Sequence, residues 1–150
     1  MIQRIQSVYL FLAALLMSAL FLPAFDFAQY KENGNPNGIF ADGTYNTYDN
    51  IILIVLVSGA ILLTLINIFV YRNRKLQLLL SRLTIFLMLT MLIASGVLFY
   101  LNFENRQNEM SFVHARFGLL LPIVAILLMF FAGKYIRKDE ALVKSMDRLR

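Results

Sequence analysis

Four long apolar segments alternate with short polar ones along the chain. The first runs from about residue 5 to residue 25, and the others cover residues 51–71, 83–103 and 117–136. A helix needs about 20 apolar residues to cross roughly 30 Å of hydrocarbon. The pattern therefore predicts an all-α membrane protein, formed by an antiparallel bundle of four transmembrane helices in a single membrane domain.

A secretory signal is the alternative interpretation of the first apolar segment, since it follows Arg4 and opens with an apolar run. The run exceeds the ~7 to 15 residues usual for the apolar core of a signal, and no A-x-A-like cleavage site follows it. These features favour an uncleaved helix.

Residues 26–50 form the longest polar stretch and separate the first two spans. Its middle, "ENGNPNG", is rich in turn-forming residues, and its flanks, "FDFAQY" and "GIFADGTYNTY", carry alternating aromatic residues. This pattern is typical of a β-hairpin. Because an isolated hairpin is only marginally stable in water, we expect it to rest on the helix ends or on the second outer loop, residues 104–116.

Lysine and arginine are divided unequally between the two sides of the predicted bundle. Lys31, Arg106 and Arg116 lie on the hairpin side. The other eleven lie near the chain start, in the connection 72–82, or at the end of the last span and beyond: Arg4, Arg72, Arg74, Lys75, Arg82, Lys134, Arg137, Lys138, Lys144, Arg148 and Arg150. Because basic loops stay in the cytoplasm, both chain ends are predicted to be cytoplasmic.

Residues 137–150 form a basic tail in which Leu142, Met146 and Leu149 recur at helical spacing. The tail is either a solvated end near anionic headgroups or an amphipathic surface for the membrane or a partner protein. The candidate contacts for a partner or for lipid headgroups are Arg72, Arg74, Lys75, Arg137, Lys138, Lys144, Arg148 and Arg150.

Small residues recur at one predicted depth in all four spans, where they would let the helix backbones approach closely. We expect Ser58 and Ser95 to hydrogen-bond across this level. A substrate opening is the alternative, although polar or ionisable lining is missing. The set comprises Ser18, Ala19, Ser58, Gly59, Ala60, Ala94, Ser95, Gly96 and Ala125.

Asn67 is the strongest polar group inside the predicted spans. A side-chain amide at this depth usually makes a hydrogen bond to a neighbouring helix. We therefore expect a structural role for Asn67, with Tyr9 or Thr84 as its partner.

Composition narrows the chemistry. The chain is 59% hydrophobic and only 15% charged, which is too apolar for an ordinary soluble domain. With no cysteine and one histidine, His114, it lacks thiol redox chemistry and paired haem or zinc ligands. No acid lies within a span, where small coupled transporters normally carry one. We therefore expect no catalytic site, metal or cofactor, and the basic excess reflects topology rather than nucleic-acid binding.

The opening "MIQRIQSVYLFLAALL", the four spans and the ending "IRKDEALVKSMDRLR" together resemble a Bacteroidota-specific family of small inner-membrane proteins, a domain of unknown function in the four-thousand series. The resemblance covers essentially the whole chain and implies a Gram-negative inner membrane, with the hairpin in the periplasm. It implies no established activity. The tail looks like the family's shared ending, which favours a partner surface; the matching residues are Arg137, Lys138, Asp139, Glu140, Asp147, Arg148 and Arg150.

These features together predict a non-catalytic accessory subunit of a larger inner-membrane assembly, with the tail and the hairpin as contact surfaces. Its expected partners are anionic headgroups at the cytoplasmic face and other inner-membrane proteins, and a homo-oligomer is compatible with the pattern. The main alternative is a small transporter or lipid-binding protein, acting alone or as a dimer. An intramembrane enzyme would need a site built from Asn67, tyrosines and loop residues.

Overall fold

The computed structural model describes residues 2–30, 38–103 and 112–147. Consecutive helices lie side by side and run antiparallel, and the first also packs against the last, which closes the bundle. The helices are α1 (Ile2–Ala19), α2 (Ile51–Phe69), α3 (Arg74–Phe103) and α4 (Leu120–Asp147), and the strands are β1 (Ala28–Tyr30), β2 (Thr44–Tyr45) and β3 (Val113–Ala115). The predicted antiparallel four-helix bundle is confirmed.

The helices have the length and apolarity of a multi-pass membrane protein. Within the described residues, α2, α3 and α4 each hold a stretch long and apolar enough to cross a bilayer, and α1 holds a shorter one, Ile5–Ala19. Large apolar side chains cover the outside of the bundle, as shown by Phe69, Phe86 and Phe130, which are 78%, 68% and 64% exposed. A surface of this kind is suited to lipid rather than water.

The interior of the bundle is filled by small residues and by flexible apolar side chains. Met17, Met88 and Met129 are fully buried, together with Leu10 and Leu53. Methionine fills irregular gaps because its unbranched side chain adopts many shapes. The bundle therefore packs tightly without large aromatic residues at its centre.

The first helix is shorter than the span predicted for residues 5–25. α1 ends at Ala19, and a turn leads into a 3-10 helix at Pro23–Phe25. Leu22 is extended, with φ −93° and ψ 137°, because the ring of Pro23 disfavours a helical residue before it. The apolar residues 20–25 therefore cover one end of the bundle and do not continue the helix.

The connection between α2 and α3 is shorter than the predicted loop 72–82. α3 begins at Arg74, nine residues before the predicted span 83–103. Asn73 sets this start, since its side-chain oxygen accepts from the amide of Leu76 at 3.2 Å and so satisfies one of the free donors of the first turn. The polar residues that suggested a loop are helical.

The last helix continues through most of the predicted tail. α4 runs without a break from Leu120 to Asp147, so residues 120–136 and the described part of 137–150 form one helix. At 28 residues α4 is about 42 Å long and at 30 residues α3 is about 45 Å long, more than the hydrocarbon thickness. We call the end formed by the α2–α3 connection and the C-terminal part of α4 the basic end.

A small antiparallel sheet covers the opposite end, which we call the sheet end. Its strand order is β2–β1–β3, with Ala28 opposite Tyr45 and Gln29 opposite His114. The predicted hairpin is thus present as β1 and β2, and the loop between α3 and α4 adds the third strand. Residues 31–37, which contain most of the predicted turn, lie outside the described residues.

Candidate functional site

An ion pair joins the two helices that extend at the basic end. Arg74, at the start of α3, places its guanidinium 3.6 Å from the Asp139 carboxylate on α4, and the two side chains are 24% and 12% exposed. The pair holds the charged part of α4 against α3. Arg74 was predicted to contact a partner or lipid, whereas its guanidinium is engaged within the chain.

The other candidate cations of the basic end are exposed. Arg72, Lys75, Arg137 and Lys138 all present their side chains at the surface. Arg148 and Arg150 lie outside the described residues, and Lys144 is described only as part of the helix backbone. Within the described residues, the basic end is therefore a cationic surface formed on α3 and α4, which the ion pair holds together.

A sequence signal for the position of Asp139 exists in the spacing of buried residues along α4. Ala125, Met129, Ala132 and Ile136 face the core at steps of four, three and four residues, and Asp139 follows three residues later. This is the helical core stripe continued. Charge alone does not reveal this stripe, because Asp139 lies in the strongly charged segment 137–150.

Asn67 joins α2 to α3 through a polar cluster near the basic end. Its amide nitrogen donates to the Ser81 hydroxyl at 2.8 Å, and Ser81 donates to the Gln77 carbonyl at 2.9 Å. The Gln77 amide donates back to the Asn67 backbone carbonyl at 3.3 Å. The interhelical partner is thus Ser81 rather than Tyr9 or Thr84, because the longer α3 brings Gln77 and Ser81 alongside α2.

Two buried polar atoms of the described residues have no hydrogen-bond partner, namely Oδ1 of Asn67 and Nε2 of Gln6. An unpaired buried group costs about 1–3 kcal/mol. The polar cluster therefore positions α2 against α3, but it stabilises the bundle less than a fully paired network would.

The predicted layer of small residues is only partly interior. Ala60, Ser95 and Ala125 are buried, Ser58, Gly59, Ala19 and Ala94 are half-buried, and Ser18 and Gly96 are exposed. The expected bond between Ser58 and Ser95 is absent, since Ser58 donates to Ile54 at 2.7 Å and Ser95 to Leu92 at 2.9 Å. A serine hydroxyl in a helix readily bonds the carbonyl one turn earlier.

An aromatic cluster fastens the sheet to the bundle. Tyr45 lies 5.2 Å from Phe27, 6.0 Å from Phe40 and 6.4 Å from Phe99 between ring centroids. Its hydroxyl donates to the Ser95 carbonyl of α3 at 2.9 Å. Burial raises the pKa of the Tyr45 phenol, so it stays protonated and keeps this donor. The sheet end is a fixed lid rather than a free hairpin.

Arg116 fastens the third strand to the first. Its guanidinium lies 3.6 Å from the buried Asp26 carboxylate and donates to the side chain of Gln29. Burial raises the pKa of Asp26, and the nearby guanidinium partly offsets this rise.

Asp49 is the second perturbed acid of the sheet end. It accepts the Asn46 amide and so caps the short 3-10 helix before α2. Burial raises its pKa to about 6, and the Asn46 amide opposes that rise. Across residues 2–30, 38–103 and 112–147, no three His, Asp or Glu side chains are grouped to share a metal ion.

A cavity of about 420 Å³ lies between α3, the sheet and the start of α4. Its walls are mainly apolar and include Phe27, Leu92, Phe99 and Leu119, with Ser95 and Gly96 on the α3 side. An apolar space of this size suits an acyl chain better than a polar solute.

No curated protein and no solved structure matches the chain. One family does match, over residues 2–149 and hence nearly the whole bundle, sheet and basic end described above. The chain belongs to this family, which is described as Domain of unknown function (DUF4293).

Proposed function

We propose that the chain is a non-catalytic accessory subunit of a larger assembly in the cell inner membrane, with both termini in the cytoplasm and the sheet in the periplasm. The single observation that supports this role is the ion pair between Arg74 and Asp139. It holds the charged part of α4 against α3, so that the basic end is a preformed surface. A preformed surface loses less conformational entropy when a partner binds.

The orientation rests on the distribution of charge. Exposed cations concentrate at the basic end, and short basic loops stay on the cytoplasmic side during insertion. The resemblance to a Bacteroidota family supports a Gram-negative inner membrane, in which the opposite end would face the periplasm. There the sheet end offers a second contact surface, with Tyr48 and Phe117 of its 3-10 helices exposed at 60% and 76%.

Co-purification in a mild detergent tests the accessory role. Charge reversal by Arg72→Glu, Lys75→Glu and Lys138→Glu changes exposed residues that take part in neither the Arg74–Asp139 nor the Arg116–Asp26 ion pair, so the bundle should stay folded. We expect proteins that co-purify at fixed ratio with the unchanged chain to be lost after reversal. The matched control, Arg72→Lys, Lys75→Arg and Lys138→Arg, keeps the charge and should retain them.

The accessory role would be contradicted by a chain that migrates alone at every detergent concentration in which it is folded. It would equally be contradicted if the charge reversal changed neither the co-purification of other proteins nor the growth of the cells. Variants are compared by elution volume and by helical circular dichroism, so that a loss of binding is separated from a loss of fold.

A lipid-binding protein is the second candidate function, and the apolar cavity at the sheet end favours it. Gly96 lines this cavity, and a Cβ added there meets nothing within 4 Å. Gly96→Leu should therefore fill part of the space without disturbing the bundle. If the cavity holds an acyl chain, native mass spectrometry will show a lipid on the unchanged protein and a smaller lipid-bound fraction on the variant.

A further inference from the structure

We infer that the groove between α3 and α4 near the basic end binds the headgroup phosphate of an anionic phospholipid. The groove, which we call the α3–α4 groove, measures about 180 Å³. Three cations line it: Arg82 from α3, and Lys134 and Arg137 from α4. This inference goes beyond the accessory role and does not depend on it.

The three cations come from two antiparallel helices and meet at one level. Arg82 directly precedes the apolar segment 83–103, and Lys134 and Arg137 lie at the end of the apolar segment 117–136. This is the level of the headgroups if the apolar segments fill the hydrocarbon. Exposed arginine and lysine at this level attract anionic lipid, and arginine can hold a phosphate through two parallel hydrogen bonds.

The charges of the groove are not neutralised by the ion pairs found among the described residues. The pairs Arg74–Asp139 and Arg116–Asp26 use none of the three groove cations. Among the described residues that line the groove there is no acid. The groove therefore has a net positive charge that an anion would offset.

Apolar residues continue the groove toward the middle of the bundle. Ile85 follows Arg82 by three residues, and Phe130 precedes Lys134 by four, so both lie about one turn deeper than the cations. Phe130 is 64% exposed, so the groove opens on the apolar outer face of the bundle, which would lie against lipid. A free anion would gain nothing from contact with these apolar residues, whereas the first carbons of an acyl chain would pack against them.

Gly133 creates part of the space in the groove. It lines the wall between Phe130 and Arg137, and a Cβ built at this position has nothing within 4 Å. A Cβ at residue 133 therefore enters open space, and we expect a larger side chain there to extend into the groove. Gly96 provides a matched position, since it is also helical, also open, and lines the cavity at the other end.

A single tryptophan can report on the groove because the chain has none. We would place the full chain, carrying Phe130→Trp, in phosphatidylethanolamine bilayers that contain brominated phosphatidylglycerol or brominated phosphatidylethanolamine. Bromine on the acyl chains quenches a neighbouring indole. The control reporter is Phe86→Trp on α3, which has a similar exposure of 68% but does not line the groove.

We expect the brominated phosphatidylglycerol to quench the Phe130→Trp reporter with an apparent association constant about fivefold above that of phosphatidylethanolamine, the gain from one cation beside an anionic lipid. The Phe86→Trp reporter should show a ratio close to one. Arg82→Gln with Lys134→Gln should abolish the preference, and Gly133→Leu should do so without changing any charge. Gly96→Leu should leave it intact.

Three results would overturn the inference. Equal ratios at both reporters would mean that the cations act as a diffuse surface or contact a partner protein. Loss of the preference in millimolar inorganic phosphate would identify a site for a free anion instead of a lipid. A preference that survives Gly133→Leu would mean that the anionic lipid does not bind in the groove. Arg137→Gln provides a milder charge variant if the double variant fails to fold, and it should lower the preference without abolishing it.

Discussion

The substitution Gly118→Ala should destabilise the sheet end although it adds only one methyl group. Gly118 is buried in the 3-10 helix before α4, and its amide donates to the Asp26 carbonyl at 3.0 Å. A Cβ at this position would lie closer than 3.0 Å to the carbonyl oxygens of Phe25 and Asp26, and 2.6 Å from the Asp26 carbonyl carbon. The obstacle is backbone, which cannot rotate away as a side chain can.

The magnitude follows from the displacement required. Ordinary contact begins at 3.4 Å, so the start of α4 and the segment after α1 would have to separate by more than 0.8 Å. Overpacking of this kind costs about 1–3 kcal/mol. The strain affects the sheet end rather than the helices. The equilibrium constant for local opening of β1 and β3 should therefore increase about 5- to 150-fold.

Hydrogen exchange followed by mass spectrometry measures this opening in detergent or in nanodiscs. Gly96→Ala is the matched control, since it is the same change at a helical position where nothing lies within 4 Å, and it should stabilise α3 by about 0.5–1 kcal/mol. Equal exchange at the strands of the two variants would refute the close backbone approach at residue 118.

Three further predictions concern stability. Burial raises the folded-state pKa of Asp49 from 3.8 to about 6, so the sheet end should lose stability as pH rises from about 4 through 6. Asp49→Asn should remove this pH dependence of stability, and the melting curves of the variant at pH 5 and pH 7 should converge. A double-mutant cycle of Arg74→Gln and Asp139→Asn should give a coupling of about 1 kcal/mol, between the usual values for exposed and buried pairs; zero coupling would exclude the pair. Ser81→Ala should lower the free energy of unfolding by about 0.6–2 kcal/mol, because Asn67 loses its acceptor; an unchanged value would remove the interhelical bond from the account.

Hydropathy was sufficient to predict the helices, the antiparallel order and the hairpin, because each is encoded locally in apolar length or in turn residues. It was insufficient at the helix ends. Pro23 and Asn73 decide where α1 and α3 end and begin, and their influence is stereochemical rather than hydropathic. The signals were present in the sequence, but an apolar window averages over them.

The contacts between distant segments could not be predicted in the same way. Arg116 pairs with Asp26 because strand pairing brings residues 90 apart in the chain together. Ser58 and Ser95 were expected to bond each other, yet each finds a nearer acceptor in its own helix. The α3–α4 groove is likewise a product of packing, since its cations are separated by about fifty residues in the chain.

Cysteine labelling tests the central claim, a bundle whose basic end and sheet end lie on opposite sides of the membrane. The chain has no cysteine, so each introduced residue is the only target. In spheroplasts, a membrane-impermeant maleimide should modify Asp42→Cys at the sheet end, whereas Lys75→Cys and Lys138→Cys at the basic end should react only after the membrane is permeabilised. Modification of Asp42→Cys and Lys138→Cys in intact spheroplasts to the same extent would contradict the claim.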